Sequence, residues 1–204
     1  ERFSRYMVEG MDFAKYIEIA DLLEANDYYF TDSHWRQDKI TDVSEKILKE
    51  MNDTTDFKGQ YNEISLENLF YGVYTGQSAL NCKPDTITYL TNDIINGLVV
   101  DGADAVYDMK KAEGKDPYEM FLSGNQPVIT IKNSMQDNGR KLIIFRDSFG
   151  SSIAPLLAEG YEETVLIDLR YVSSDMLGQF VDFKGADVLF LYSTMLLNNS
   201  LSIK

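Results

Sequence analysis

The last third of the chain predicts an α/β fold with a parallel sheet, and three observations carry that prediction. Residues 141–145, 163–169 (ETVLIDL) and 186–192 (ADVLFLY) are short apolar runs with β-branched and aromatic members, as in strands buried on both faces. Between them, residues 152–159 read as a helix closed by Gly160, and residues 175–181 read as a second helix. Strand, helix, strand, helix, strand with short connections implies parallel pairing with helices on the sheet faces.

The earlier elements follow in order. Residues 11–25 place Phe13, Tyr16, Ile17, Ala20 and Leu23 at helical spacing, predicting an amphipathic helix that Asn26 and Asp27 end. An aromatic run, Tyr28-Tyr29-Phe30, leads into Thr31-Asp32-Ser33-His34-Trp35. Thr41 or Asp42 can cap a helix through about Met51, with Val43, Ile47, Leu48 and Met51 on one side. His34 is thus expected on a loop between two helices, where functional groups tend to sit. Residues 52–78 read as loop and short strands, around 69–74, with Gly76 as punctuation. Residues 85–90, 98–100 and 106–108 read as strands, with a polar bend at 92–97 and a turn at 101–104. Asp116-Pro117-Tyr118 opens a helical turn stopped by residues 123–127; a strand at 128–131 and a turn at 136–139 complete the chain. No repeat or linker divides it, so residues 1–204 are expected to form one domain.

Composition narrows the partners. The net charge is −14, from 33 acidic against 19 basic residues, so the positive footprint a nucleic-acid partner needs is missing. The same field disfavours strongly anionic polymers and leaves a neutral glycan or a small acyl donor easier to accept, although surface charge can also serve solubility alone. Cys82 is the sole cysteine, which excludes an intramolecular disulfide and leaves the redox compartment open. No stretch reaches the roughly 18 apolar residues of a membrane span, and no signal peptide is visible. The chain opens at Glu1 rather than methionine, so removal of a targeting or anchoring segment stays open.

His34 is the only histidine, so a mechanism that needs an imidazole base has one candidate. Asp32, two residues earlier, is the right type to hold that ring in one tautomer. Arg146-Asp147-Ser148-Phe149-Gly150-Ser151-Ser152 ends an apolar run in a small, serine-rich turn. Aspartate, histidine and serine are the parts of a nucleophilic hydrolase or acyltransferase. At the carboxyl end of a parallel strand, Ser148 would lie where reactive groups collect. The following helix could aim its first free N–H groups at the site as part of an oxyanion hole. Helix capping by Asp147, Ser148, Ser151 and Ser152 explains the same residues, and His34 could simply pack on Trp35. The tyrosines and Trp35 could form a sugar platform or belong to the core. One histidine and one cysteine give no metal-ligand spacing, and no calcium-binding loop is present, so neither a metal nor a cofactor is expected.

Taken together, these segments resemble the bacterial DHHW family, itself similar to the SGNH-hydrolase-like proteins that O-acetylate alginate. The resemblance covers most of the chain from about residue 11. It rests on the Tyr28–Trp35 segment, Asp116-Pro117-Tyr118, the 121–125 segment, Arg146-Asp147-Ser148-Phe149, residues 165–171 and 189–193, and Asn198-Asn199-Ser200. It implies a three-layer SGNH-hydrolase-like α/β fold with a central, mostly parallel sheet. It also implies Ser148 as nucleophile, His34 as general base and Asp32 as its orienting acid. Gly124 and Asn125 are the expected oxyanion donors, with Asn198 and Asn199 as a second option; Trp35 and Arg146 complete the expected substrate-facing set. Three departures stand out. Ser33 replaces the first histidine of the family's name, Arg146 stands where SGNH enzymes often carry glycine, and the chain begins partway into the family pattern. The implied activity is acyl transfer, O-acetylation or deacetylation of an extracellular polysaccharide, by a membrane-anchored extracytoplasmic protein with a membrane acyl-transport partner. The alternative is a non-catalytic glycan-binding or scaffold module that keeps the fold.

Overall fold

The computed structural model describes residues 9, 11–51, 60–78 and 82–204. Its strands are β1 (Asn62–Phe70), β2 (Asp85–Thr91), β3 (Val99–Asp101), β4 (Val128–Lys132), β5 (Lys141–Arg146), β6 (Glu163–Ile167) and β7 (Ala186–Leu191). Among the described residues, β3 to β7 form one sheet in the order β3-β4-β6-β5-β7, and β1 pairs antiparallel with β2 in a separate ribbon. The pairs β5–β6 and β5–β7 are parallel, as the three C-terminal apolar runs imply. The pairs β4–β6 and β3–β4 are antiparallel, which corrects the expectation of a mostly parallel sheet. The sheet is mixed.

Alternation along β5 decides which layer lies on which face. Leu142 and Ile144 point into a core shared with Ile153, Leu156 and Leu157 of the Phe149–Leu157 helix and Val43 and Ile47 of the Thr41–Glu50 helix. Ile143 and Phe145 point the opposite way, toward Val165, Ile167, Val172 and Val181. A strand with apolar residues on both faces is stable only when both are covered, which is why residues 141–146 read as a continuous run. A third cluster, with Tyr29, Phe70, Ile87, Tyr118, Met120 and Phe121, lies beneath the His34 segment.

Several expectations give way. Residues 11–25 do not form a helix; the described chain has only 3-10 turns at Ala20–Leu22 and Ala25–Asp27. Ile17, Ile19, Leu22 and Leu23 pack against the core while Phe13 is exposed, so tertiary contacts rather than the helical stripe set this segment. The short strand expected around 69–74 is instead the end of the nine-residue strand β1, with a helix at Val73–Ser78 after it; all of β1 but Leu66 and Phe70 is exposed, and its polar composition reflects that single-partner position. Part of the loop read at 52–78, residues 52–59, lies outside the described residues. The polar bend is a short helix, Asp93–Gly97, because the Asn92 side chain accepts from Ile95 N and caps it. The strand read at 106–108 is an isolated bridge between Tyr107 and Phe121, and residues 174–179 are 3-10 rather than α-helical.

Candidate active site

The His34 segment is a tight loop closed on itself. Tyr28 and Trp35 bridge antiparallel, Tyr29 N donates to His34 O at 3.0 Å, and Arg36 N donates to Asp27 O at 2.7 Å. Asp85, at the start of β2, fixes the tip by accepting from Phe30 N, Thr31 N and Thr31 Oγ1. Trp35 then staples the loop to the helix that follows Ser148: its indole N–H donates to Ser152 Oγ at 2.9 Å and Phe149 O at 3.1 Å. Gln37 repeats the attachment, donating to Ser152 O at 2.6 Å and accepting from Leu90 N on β2. Buried polar groups need partners, and here the partners join the loop to the sheet layer.

Ser148 follows the end of β5 and precedes the Phe149–Leu157 helix. Asp147 shapes this turn: its Oδ1 accepts from Phe149 N at 3.0 Å and its Oδ2 from Ser193 N at 2.9 Å, tying the ends of β5 and β7 together. Arg146 does not crowd the serine. It is fully buried and turned to the interior, where it donates to Ser151 Oγ at 3.1 Å and Gln126 O at 3.3 Å. Gly150 makes the room, since a Cβ there would lie 2.6 Å from Arg146 Cβ.

These two elements bring the three predicted side chains into one line. His34 Nδ1 lies 2.5 Å from Asp32 Oδ1, and His34 Nε2 lies 2.8 Å from Ser148 Oγ. Asp32 Oδ1 also accepts from His34 N at 3.0 Å, and its Oδ2 from Val73 N at 2.9 Å. Burial works against ionisation of Asp32, yet the hydrogen bonds from the His34 ring and the Val73 amide outweigh it and hold the carboxyl below its usual range. An ionised Asp32 keeps the proton on Nδ1 and leaves the Nε2 lone pair facing the serine hydroxyl. Gly72 has to lack a side chain, because a Cβ would come within 2.6 Å of Asp32 Oδ2.

Tyr118 is a member of the site that the sequence reading missed. Its ring stacks on His34 at 3.9 Å between centroids, and its hydroxyl donates to Ser152 Oγ at 3.0 Å and Ser148 O at 3.3 Å. Burial, only partly offset by the Ser152 hydrogen bond, pushes the phenol well above its usual range, so it stays a neutral donor. The signal was present in Asp116-Pro117-Tyr118: Asp116 caps the Pro117–Met120 turn by accepting from Tyr118 N, which sets the ring's position. His34 therefore packs on Tyr118 and on Phe149, at 4.9 Å, rather than on Trp35.

The other expected substrate-facing residues divide. Trp35 is buried and cannot offer a face to a sugar; Arg146 is interior. Gly124, at φ +81°, has its N–H donating to Phe121 O, so it is not a free oxyanion donor. Asn125 is exposed on the same turn, with Oδ1 accepting from Arg170 Nη2 at 3.4 Å. Arg170 is itself clamped by Asp168 at 2.6–3.2 Å. Asn198 and Asn199 are exposed at the end of the Thr194–Asn198 helix and make no hydrogen bond to the three central side chains. The helix does not aim its first amides at the site either: Phe149 N and Gly150 N both donate to Asp147. Ser148's own N–H is the amide left without a protein acceptor among the described residues. No group of three or more potential metal ligands occurs among the described residues.

The fold is similar to that of solved structures. A DHHW family protein from Eubacterium siraeum DSM 15702 superposes with a TM-score of 0.72 at 21% identity, over 98% of this chain and 69% of that one. Bacillus cereus PatB1 with a sulfonyl adduct gives 0.63 at 22% identity, over 84% of this chain and 62% of that one. A second structure of Bacillus cereus PatB1 gives 0.62 at 23% identity, covering 84% and 64% of the two chains. This chain thus spans less than two thirds of the PatB1 chains. No family model matches the sequence, and no curated protein does. At these identities the likeness is one of fold, and the fold shared is a mixed α/β sheet flanked by helices.

Proposed function

We propose that this protein is an acyl-transfer enzyme of SGNH-hydrolase-like, three-layer architecture that works through a Ser148 acyl-enzyme. The observation that carries the reading is the unbroken relay from Asp32 to His34 to Ser148, at 2.5 and 2.8 Å. His34 Nε2 takes the hydroxyl proton as Ser148 Oγ bonds to the carbonyl carbon of an acyl ester. The tetrahedral oxyanion draws on the Ser148 N–H, with the Asn125 amide a candidate second donor. Collapse breaks the bond to the leaving alcohol, which receives the proton from His34. An acceptor hydroxyl, or water in the esterase variant, then gives its proton to His34 and takes the acyl group, returning Ser148 to its resting state. The resemblance to polysaccharide O-acetylation proteins supports an acetyl group and an extracellular glycan. An extracytoplasmic location, a membrane anchor and a membrane acyl-transport partner belong to the same reading.

A fluorophosphonate or sulfonyl fluoride should label the wild-type protein on Ser148, and an acetyl ester chromogen should be turned over. Ser148→Ala should abolish both, with mass spectrometry and absorbance as the readouts. Labelling or turnover that survives in that variant removes the reading. A wild-type chain that resists labelling yet binds oligosaccharide belongs to the scaffold class instead.

A further inference from the structure

A cavity on the Asp32 side of the relay has no part in the chemistry described so far. It encloses about 420 Å³, within the roughly 300–1,000 Å³ of small-molecule sites. Tyr71, Thr75, Lys115 and Asp116 line it, together with Gly72 and Gly76. Asp32 also belongs to the wall, so the cavity adjoins the carboxylate that holds His34.

Asp32 has little to offer a ligand, because its two oxygens already accept from His34 N, His34 Nδ1 and Val73 N. Asp116 differs. Its Oδ1 accepts from Tyr118 N, and its Oδ2 has no hydrogen-bond donor among the described residues. Lys115 makes no ion pair among the described residues and is a donor beside it. The Tyr71 ring is 52% exposed.

An acceptor in Asp116, a donor in Lys115 and an open aromatic ring in Tyr71 suit a ligand with hydroxyls on its edge and C–H groups on its faces. That is the chemistry of a sugar ring. Two carboxylates against one ammonium in the wall, in a chain of net charge −14, disfavour a uronate there. We infer that this cavity is the acceptor subsite, holding a neutral sugar ring next to the one that receives the acyl group. The inference rests on the acyl-transfer reading above and adds the class of acceptor and the residues that select it.

The test compares cellohexaose with the β-1,4-linked hexamer of glucuronic acid, two chains that differ in charge on the same backbone. Binding is measured by titration calorimetry on the full chain carrying Ser148→Ala, so that no turnover intervenes. The expected result is saturable binding of cellohexaose, at least tenfold weaker binding of the uronate, and at least tenfold loss for cellohexaose when Tyr71→Ala or Lys115→Ala is added. Both added changes lie on exposed side chains, which protects the fold. Equal binding of the two hexamers, or binding indifferent to Tyr71→Ala and Lys115→Ala, overturns the inference. Sulfonyl labelling of the wild-type chain separates the two claims. A labelled protein that binds neither hexamer loses the subsite and keeps acyl transfer, whereas an unlabelled one loses acyl transfer and, with it, the acceptor role.

Discussion

At the residue scale, the site depends on what each carboxylate is allowed to do. Asp32 accepts from the ring and from two backbone amides, so it works as a fixed anion that orients His34. Asp32→Asn would keep the shape but present an amide donor or a neutral acceptor to Nδ1, favouring the wrong tautomer. By analogy with serine proteases, that change should lower kcat/KM for an acetyl ester by roughly 10⁴-fold with the fold intact. Steady-state kinetics beside an unchanged circular dichroism spectrum would check it. Asp147, two positions on from β5's last buried apolar side chain, has the other role: it satisfies amides of two segments and does not touch His34. Its capping role was visible in the sequence, since aspartate before a helix is a capping signal. Its partnership with Ser193 was not, because that contact spans 46 residues.

At the element scale, the loop carrying His34 is held to the helix that follows Ser148 by Trp35 and Gln37. Trp35→Phe keeps a ring in the core but deletes the N–H that serves Ser152 and Phe149. It should cost about 1–3 kcal/mol of stability, the range for leaving a buried partner unsatisfied, and should lower acetyl-ester turnover more than Phe149→Leu does. Urea unfolding together with turnover would show both effects. The strands at 141–146, 163–167 and 186–191 were legible because their apolar composition is local information. The segment at 11–25 misled because its spacing fits a helix while its contacts, through Ile17, Ile19, Leu22 and Leu23, are long-range. Tyr118 escaped notice for the same reason: a tyrosine after Asp-Pro marks a turn, and only the fold reveals which ring it meets.

At the scale of the whole molecule, the buried carboxylates pull stability in opposite directions with pH. Glu159 is buried, with Oε1 unpartnered and Oε2 accepting from Asn92. Burial raises its carboxyl above the usual range despite hydrogen bonds from Tyr61 and Asn92. A carboxyl whose folded pKa lies above its unfolded one binds its proton more tightly in the folded state, so its contribution falls as pH rises between those two values. Glu159→Gln should therefore raise Tm at pH 7, by roughly 2–4 °C for each kcal/mol relieved, with a smaller gain near pH 4. Calorimetry at the two pH values would show whether the gain shrinks as predicted. Asp32 runs the other way: its lowered pKa gives stability above the ordinary carboxylate range that is lost as pH falls through the folded value.

Asp32 and His34 share one short loop, two positions apart, and Ser148 alone arrives from the sheet. The relay consequently has a single joint between independently anchored parts. Should that loop lift, Asp32 and His34 would leave together, and the stranded Ser148 hydroxyl would be no more nucleophilic than any surface serine. Under the proposed acyl transfer, inactivation by loosening would then be abrupt, with no half-competent state in which His34 remains without its orienting partner.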